Sequence, residues 1–396
     1  MYKDLSVLLG VSGGVAAYKA CVLARLLVKR GASVRVVMTP EATKFVGAET
    51  FRALTGHPTH VDMFADPSPD GMGHIHLTRE RDLFIVAPAT MNTLAKAACG
   101  ICDNMLLTAM AASDCPIVVC PAMNGKMWDS PANRRNVATL KADGVTVLEP
   151  ASGSLACGEV GQGRMLEPED IADLALDALY PKPFAGKKVM LTMGGTYEPI
   201  DPVRGITNIS SGKMGAELAR SFRRLGAEVT AVAGQIKTEI PMGVRAIFAG
   251  TALDMQRAVL SNIEGQDCFV AVAAVADYRA AKRSDFKIKK ETGNGGLTLK
   301  LIENPDILSS VSSLDNPPFC VGFAAESENL EQYAKAKMAR KKVKILVANL
   351  VSQAMGKDDT QFCIFDPKLT AYPTMPKDKA ADEIARAVAR GMGLLG

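Results

Sequence analysis

The chain of 396 residues is 48% hydrophobic and 5% aromatic, too long for one small core and composed like helices packed on sheets, so two domains are expected. Lys and Arg number 46 against 42 Asp and Glu, a formal net charge of +4, which argues against a nucleic-acid surface and for a few local anion sites. Nine cysteines, an odd number, do not suit a secreted disulfide framework, and MYKDLSVLLGVSGG enters a strand without a leader-like apolar core, so a cytoplasmic protein with no membrane span is expected.

In chain order, SVLLGV reads as a first strand, GGVAAYKACVLARLLVKRG as a glycine turn and helix, and ASVRVVMT as the second strand. DLFIVAPAT, PIVVCPAMN and VTVLEP supply three more strand ends, with helical stretches between them, and EPEDIADLALDALY closes the unit. Short β-branched runs alternating with amphipathic helices predict a parallel sheet covered on both faces. Cys21, Cys115, Cys120, Cys268 and Cys320 lie in apolar runs, where a thiol packs as a small hydrophobe. Cys99 and Cys102 form a C-x-x-C whose helix-like surroundings, LAKAACGICDNML, place both on a buried face; zinc or redox chemistry is the alternative, although no second pair follows at zinc-site spacing. The segment SLACGEVGQGRML, residues 154–166, is too rich in glycine for helix interior or an ordinary strand and reads as a mobile segment carrying one thiol, Cys157.

PKPFAGKK, residues 181–188, reads as a linker. The opening then recurs, with KVMLTMGG as strand and turn, SGKMGAELARSFRRLGAE as helix and VTAVAG as strand. Domains over 1–180 and 186–396 are therefore expected, each an α/β parallel-sheet unit with a ligand site where strand C-termini meet helix N-termini. GVSGGVAA lacks G-x-G-x-x-G spacing, the second strand ends in Met38-Thr39 rather than an acidic residue, and SSGKMG puts Met214 where a Walker A loop needs Ser or Thr. Both turns can still bind phosphate through backbone N–H groups at a helix start, so mononucleotides are expected rather than NAD. The stretch from Met190 to Gly215 is too long and polar for a mere connector. Farther on, AVAAVADYRAA is a buried strand ending in Asp277, and FKIKKETGNGGLTLKLIENPDIL looks like a basic hairpin arm. On it Lys287 and Lys289 flank Ile288 and so face one side of an extended strand, a solvated charge run being the plainer alternative.

Three polar groups stand out in the first half. Asn124 follows the buried run VVCPAM, where an unpaired amide is costly, with a turn or cap role as the alternative. His74, in GMGHIHL, is either a satisfied structural histidine or, with His76, part of a metal chelate on a strand. Cys157 is the third. With them, GVSGGVAAYK, VVMT, GHI, APATMNTLAKAACGICDNML, PAMNGKMW and ACGEVGQGRM resemble the flavin-containing cysteine decarboxylases across the whole first half. The resemblance implies a flavodoxin-like FMN domain with Gly10, Ser12, Gly13, Thr39, Ala87, Ala89 and Thr90 as flavin contacts and Met127 as a substrate contact. In that family the carbon bearing sulfur is oxidised to a thioaldehyde, carbon dioxide leaves, and the enethiolate is protonated and reduced. By resemblance Asn124 holds the carboxylate, His74 assists the oxidation, and Cys157 donates the proton from a lid.

In the second half, EPIDPVR, NISSGKMG, AAVADYR, KIKK, NPDIL, VGFAAES and VANLVS resemble phosphopantothenate–cysteine ligase, and the order of the halves is similar to the bacterial bifunctional enzymes of coenzyme A biosynthesis. This implies a Rossmann-like domain that joins cysteine to 4'-phosphopantothenate through an acyl-cytidylate made from CTP, with magnesium as counter-ion. The implied roles are Asn208 on the acyl-cytidylate, Lys287 and Lys289 against developing negative charge, and Gly212 and Lys213 facing a phosphate. Phe323 becomes a substrate or nucleotide contact and Asp277 a nucleotide or metal contact. Tyr197 stands where the family has Arg, and ARKKVKILVANLVS is shorter than the family form, so no lysine is assigned there. A homo-oligomer is also implied, with trimers of the flavin domain and dimers of the ligase domain. Two other readings stay open. A flavoprotein turned binding module is expected to lose His74, Asn124 or Cys157, and a decarboxylase of peptide C-terminal cysteines leaves the second half without a purpose. An NAD-dependent oxidoreductase is disfavoured by both glycine turns.

Overall fold

A computed structural model of the chain describes residues 2–65, 72–154, 158–289, 297–326, 336, 338–350, 358–366 and 368–395. Contacts divide the chain into two compact units, Met1–Tyr180 and Pro181–Gly396.

The first unit has strands β1 (Ser6–Val11), β2 (Ser33–Met38), β3 (Thr59–His60), β4 (Leu83–Ala89), β5 (Ile117–Pro121) and β6 (Thr146–Val147). They form a parallel sheet in the order β3-β2-β1-β4-β5-β6. Without the two-residue edge strand β3 this is the flavodoxin-like order, whose winding reverses between β1 and β4. Its helices are α1 (Ala17–Lys29), α2 (Ala48–Thr55), α3 (Gly73–Thr78), α4 (Met91–Ala98), α5 (Met105–Ala111), α6 (Gly125–Trp128), α7 (Pro131–Ala142) and α8 (Pro168–Ala175). The near-continuous apolar runs of β1 and β4 are required because successive side chains enter different cores. Val7, Leu9 and Val11 pack with α1 and α8, whereas Leu8 packs with α4 and α5.

Three expectations are corrected in this unit. The glycine-rich segment is an antiparallel hairpin, β7 (Ala151–Ser154) and β8 (Val160–Arg164). One of its glycines serves close approach: a Cβ on Gly163, at φ +149°, would stand 2.2 Å from Met123 O. His74 and His76 lie on helix α3 rather than a strand, so two residues apart they diverge. Cys99 and Cys102 are exposed, because Gly100 at φ +68° ends α4 and turns the chain outward before α5.

The second unit has β9 (Lys188–Met193), β10 (Tyr197–Pro199), β11 (Gly205–Thr207), β12 (Glu228–Ala233), β13 (Arg245–Phe248), β14 (Cys268–Ala271), β15 (Tyr278–Ala280), β16 (Leu301–Glu303), β17 (Phe319–Glu326), β18 (Ile345–Leu350), β19 (Asp359–Asp366) and β20 (Lys368–Pro376). Its labelled helices are α9 (Lys213–Arg224), α10 (Ala252–Leu260), α11 (Ile307–Ser312) and α12 (Lys377–Gly391). The eight-stranded sheet runs β13-β12-β9-β14-β17-β18-β19-β20, parallel as far as β18 and antiparallel beyond it. Winding reverses here between β9 and β14. Two short ladders, β10–β11 and β15–β16, stand apart from this sheet.

Part of the stretch read as a linker is docked onto this unit. Phe184 is fully buried edge-on against Phe222, at 5.3 Å between ring centroids, and Lys182 Nζ donates to Arg224 O at 2.6 Å. The cysteines of the apolar runs do pack: burial pushes the Cys120 and Cys268 thiols far up and that of Cys320 to about 11, so none is a thiolate at neutral pH.

Helices α9 and α12 meet through a buried polar group. Asp382 Oδ1 accepts from Ser221 Oγ at 2.5 Å and from Arg224 Nη1 at 3.3 Å. Removing one partner of such a group is more damaging than never having placed it there. Asp382→Ala is therefore expected to cost about 3 kcal/mol in urea unfolding of the full chain; a cost under about 1 kcal/mol would show that this carboxylate does not anchor the two helices.

Candidate active sites

At the reversal between β1 and β4, the loop after β1 meets the loop after β4. Ser12 is buried, donating from Oγ to Pro88 O at 2.8 Å and accepting from Thr90 N at 2.9 Å. It therefore ties the two loops together. Gly13 is needed because a Cβ there would lie 2.6 Å from Glu41 Cβ, and Gly10 faces Leu106 and Phe84, each at 3.1 Å from a would-be Cβ. Ala87 and Ala89 are fully buried in β4. Thr39 Oγ1 accepts from Ala42 N at 3.3 Å and Thr90 Oγ1 from Thr93 N at 3.3 Å, each capping the next helix. Helix α1, by contrast, begins at Ala16 with no side-chain cap. Its first turn is closed by backbone instead, with Ala17 N donating to Gly14 O at 2.9 Å and Lys19 N to Ala16 O at 3.0 Å, so no side chain stands between this helix start and the crevice.

Asn124 is the N-cap of α6. Its Oδ1 accepts from Lys126 N at 2.9 Å, and its Nδ2 donates to Glu159 Oε2 at 2.7 Å. The cap reading and the ligand reading of Asn124 are therefore compatible, since the cap uses only the oxygen side of the amide. Hairpin β7–β8 lies along this loop, with Met123 N donating to Gly163 O at 3.0 Å. Its far end is fixed to α1, where buried Lys19 donates from Nζ to Met165 O at 3.1 Å and to Glu167 Oε1 at 2.9 Å. Lys19 and then Arg164 hold the Glu167 carboxyl below the usual carboxylate range. Met127 is 45% exposed on α6. His74 is half-buried on α3, and among the described residues no hydrogen bond joins its ring to Asn124. Cys157 lies outside the described residues.

The second unit opens a cleft of about 1360 Å³ at the β9–β14 reversal, lined by Asn208, Gly212, Lys213, Asp277 and Phe323 among others. Gly212, at φ +78°, is the N-cap of α9 and has no side chain to cap it; its N–H donates to Ser210 Oγ and that of Lys213 to Ser211 Oγ, both at 3.4 Å, so two seryl hydroxyls cover this helix start at the cleft. Asn208 Nδ2 donates to Val275 O at 3.0 Å, which fixes the amide and leaves Oδ1 as the acceptor. Asp277 is exposed at the wall, and Asn304 pins the chain on both sides of it, with Asn304 N on Asp277 O and Nδ2 on Ala276 O, both at 2.8 Å.

Lys287 and Lys289 are not among the cleft-lining residues, and residues 287–289 form no strand. The extended-strand expectation is corrected because this segment is held through its backbone. Ile288 N donates to Asp201 Oδ2 at 3.1 Å, and Arg204 Nη2 donates to Ile288 O at 2.8 Å. Asp201 is buried, and Arg204, followed by the backbone N–H groups of Val203, Ile288 and Arg204 against the opposing effect of burial, holds its carboxyl well below the usual range. Tyr197 does not line the cleft; its ring lies against Gly205, where a Cβ would be 2.4 Å away.

Sequence reading missed two lysines that line this cleft, Lys341 and Lys377. Lys341 pairs with Asp306, the N-cap of α11. Lys377 opens α12 after Pro376 and is only 7% exposed; burial and then the Lys213 ammonium push its pKa down, while Asp358, paired with Lys213, opposes them. The one legible signal was a lysine in the first turn of a helix, against the macrodipole.

Two doubly wound sheets, each with a helix start at its reversal, define a two-domain α/β protein of the kind that takes ligands at the C-terminal ends of its strands. The Flavoprotein family profile matches residues 1–179, and that of the DNA/pantothenate metabolism flavoprotein C-terminal domain matches residues 184–392. The chain is 42% identical over 393 residues to the coenzyme A biosynthesis bifunctional protein CoaBC of Vibrio vulnificus strain YJ016, with 98% of each chain covered. It is 42% identical to the protein of that name from Bacillus subtilis strain 168, again over 98% of each, and 44% identical to that from Escherichia coli K12 over 88% of this chain and 86% of the relative. The chain belongs to this family of bifunctional coenzyme A biosynthesis proteins.

Gly163→Ala is expected to unseat β8, lowering the hydrogen-exchange protection of the Met123 amide about tenfold; unchanged protection would show that the close approach is dispensable. For the basic segment, a folded pKa below the unfolded one means that the stabilisation from Asp201 is complete above about 3.9 and is lost as pH falls below it. The protection factor of the Ile288 amide should therefore be the same at pH 7 and pH 5, and should fall at both in Asp201→Asn. Equal protection in the variant would remove Asp201 as the anchor.

Proposed function

We propose that the second unit joins cysteine to 4'-phosphopantothenate at the expense of CTP, and that the first unit decarboxylates the product to 4'-phosphopantetheine. The observation that carries this reading is the recurrence, at the reversal point of each sheet, of a helix whose N-cap residue brings no capping side chain, in a chain aligned almost end to end with bifunctional relatives.

FMN fits the first crevice. The glycine turn into α1, where no capping side chain competes, suits its phosphate, Thr39 keeps a hydroxyl proton to donate, and the loops around Gly10, Gly13, Ala87, Ala89 and Thr90 wall the site. When bound, the flavin supplies the acceptor and donor of hydride that the chain lacks. The chain's own residues do the rest. Asn124 Nδ2 holds the substrate carboxylate, His74 takes part beside the carbon being oxidised, Met127 contacts the substrate, and Cys157 gives the proton to the enethiolate.

In the second unit, the polyphosphate takes over the N–H groups at Gly212 and Lys213 from the long 3.4 Å bonds to Ser210 Oγ and Ser211 Oγ, and Asn208 Oδ1 orients the acyl-cytidylate. Phe323 lies along the nucleotide or substrate. Among the described residues no group of three or more His, Cys, Asp or Glu side chains can hold a metal ion. Magnesium nevertheless fits Asp277, because it takes one or two carboxylates and completes its shell with phosphate oxygens and water. Lys287 and Lys289 neutralise charge during acyl transfer, which requires their segment to reach a cleft by moving or from a neighbouring copy. A homo-oligomer, with trimers of the first unit and dimers of the second, completes the reading; for the first unit it is supported by the exposure of Val15 at 60%, just before α1, and of Tyr18 at 58% and Val22 at 47% on that helix. No described helix is long and apolar enough to cross a membrane, which suits a cytoplasmic setting.

The purified protein should be yellow and, given 4'-phosphopantothenate, cysteine, CTP and magnesium, should form a product lighter than the cysteine adduct by carbon dioxide. Bound flavin without turnover would favour a binding module, and a product retaining its carboxylate would leave only the ligase. Lys287→Gln is expected to abolish amide formation and spare decarboxylation of supplied 4'-phosphopantothenoylcysteine; an unaffected ligase would return the segment to a solvated charge run.

A further inference from the structure

We propose that Glu159 is an internal competitor for the substrate carboxylate, occupying Asn124 in the substrate-free protein and yielding it only to a ligand that brings a carboxylate of its own. The proposal rests on the reading of Asn124 as the carboxylate holder.

The geometry is specific. Asn124 Oδ1 is committed to Lys126 N at 2.9 Å as the α6 cap, so the amide orientation is fixed and Nδ2 is the side turned toward a ligand. That same Nδ2 donates to Glu159 Oε2 at 2.7 Å. Glu159 immediately precedes β8, and β8 is itself held against the loop before α6 through Gly163 and Met123. The carboxylate is therefore presented to Asn124 by a docked strand, from 35 residues away in sequence.

A carboxylate on Glu159 and a carboxylate on the substrate are the same acceptor with the same charge. Asn124 Nδ2 carries two hydrogens, but two carboxylates brought to one amide repel each other, so each weakens the binding of the other. Glu159 thus weakens the binding of a carboxylate ligand while leaving a ligand without that group untouched. Decarboxylation removes the group that displaced it, and Glu159 retakes the amide as the product leaves. The residue therefore acts on discrimination between substrate and product through Asn124, without touching the reacting carbon.

The test uses two ligands that cannot form a thioaldehyde, 4'-phosphopantothenoylserine and its counterpart made with ethanolamine, which lacks only the carboxylate. Both are titrated calorimetrically into the flavin-loaded full chain. Glu159→Gln removes the charge and Glu159→Ala the acceptor, at an exposed position where neither change disturbs the core. Each is expected to tighten the serine ligand about fivefold, to leave the ethanolamine ligand within about twofold, and to have no effect in an Asn124→Ala background. Unchanged or weaker binding of the serine ligand in both variants overturns the competitor role; if Asn124→Ala meanwhile weakens only the serine ligand, the reading of Asn124 stands. A serine-to-ethanolamine affinity ratio unchanged by Asn124→Ala overturns both.

Discussion

A parallel strand buried on both faces must send its connections over opposite sides of the sheet, and where the winding reverses two loops part and leave a crevice. Both sites of this protein depend on that constraint. Between β1 and β4 it exposes the start of α1, and between β9 and β14 the start of α9, the two helices at these points whose N-cap residue brings no capping side chain. Helices α4 and α6, which also start near the first crevice, are closed by side chains, α4 by Thr90 and α6 by Asn124. A helix start without a capping side chain leaves room for a ligand at a crevice.

Around these crevices the chain fixes its polar segments by a few charged anchors rather than by added core. Lys19 holds the far end of the β7–β8 hairpin through Met165 O and Glu167, and Asp201 with Arg204 holds the basic segment through the backbone of Ile288. Each anchor engages main-chain atoms, which leaves the neighbouring side chains available for chemistry. For the basic segment this explains why Ile288 is held while Lys287 and Lys289 remain exposed.

Much of this was legible in the sequence because it is local. Alternating apolar runs reported β1, β2 and β4, and the repeated opening SVLLGVSGG and KVMLTMGG reported two sheets. The motifs PAMNGKMW and NISSGKMG pointed to the loops that reach the crevices. Local reasoning failed where a glycine or a distant partner decided the outcome. Gly100 turns Cys99 and Cys102 outward in a stretch whose composition reads as buried helix. Gly163 of β8 signalled close packing on Met123, not an absence of strand, since a glycine permits mobility and close approach alike.

The sequence by itself determined the kinds of element and the two-sheet plan, because burial periodicity and loop composition act over a few neighbouring positions. Only the tertiary structure decided which distant groups share a site. It set Glu159 on Asn124, brought Lys341 and Lys377 to the cleft of the second unit, and held Lys287 and Lys289 away from it. Such pairings follow from strand order and from the crossing of loops, and no local spacing encodes which carboxylate will meet which amide.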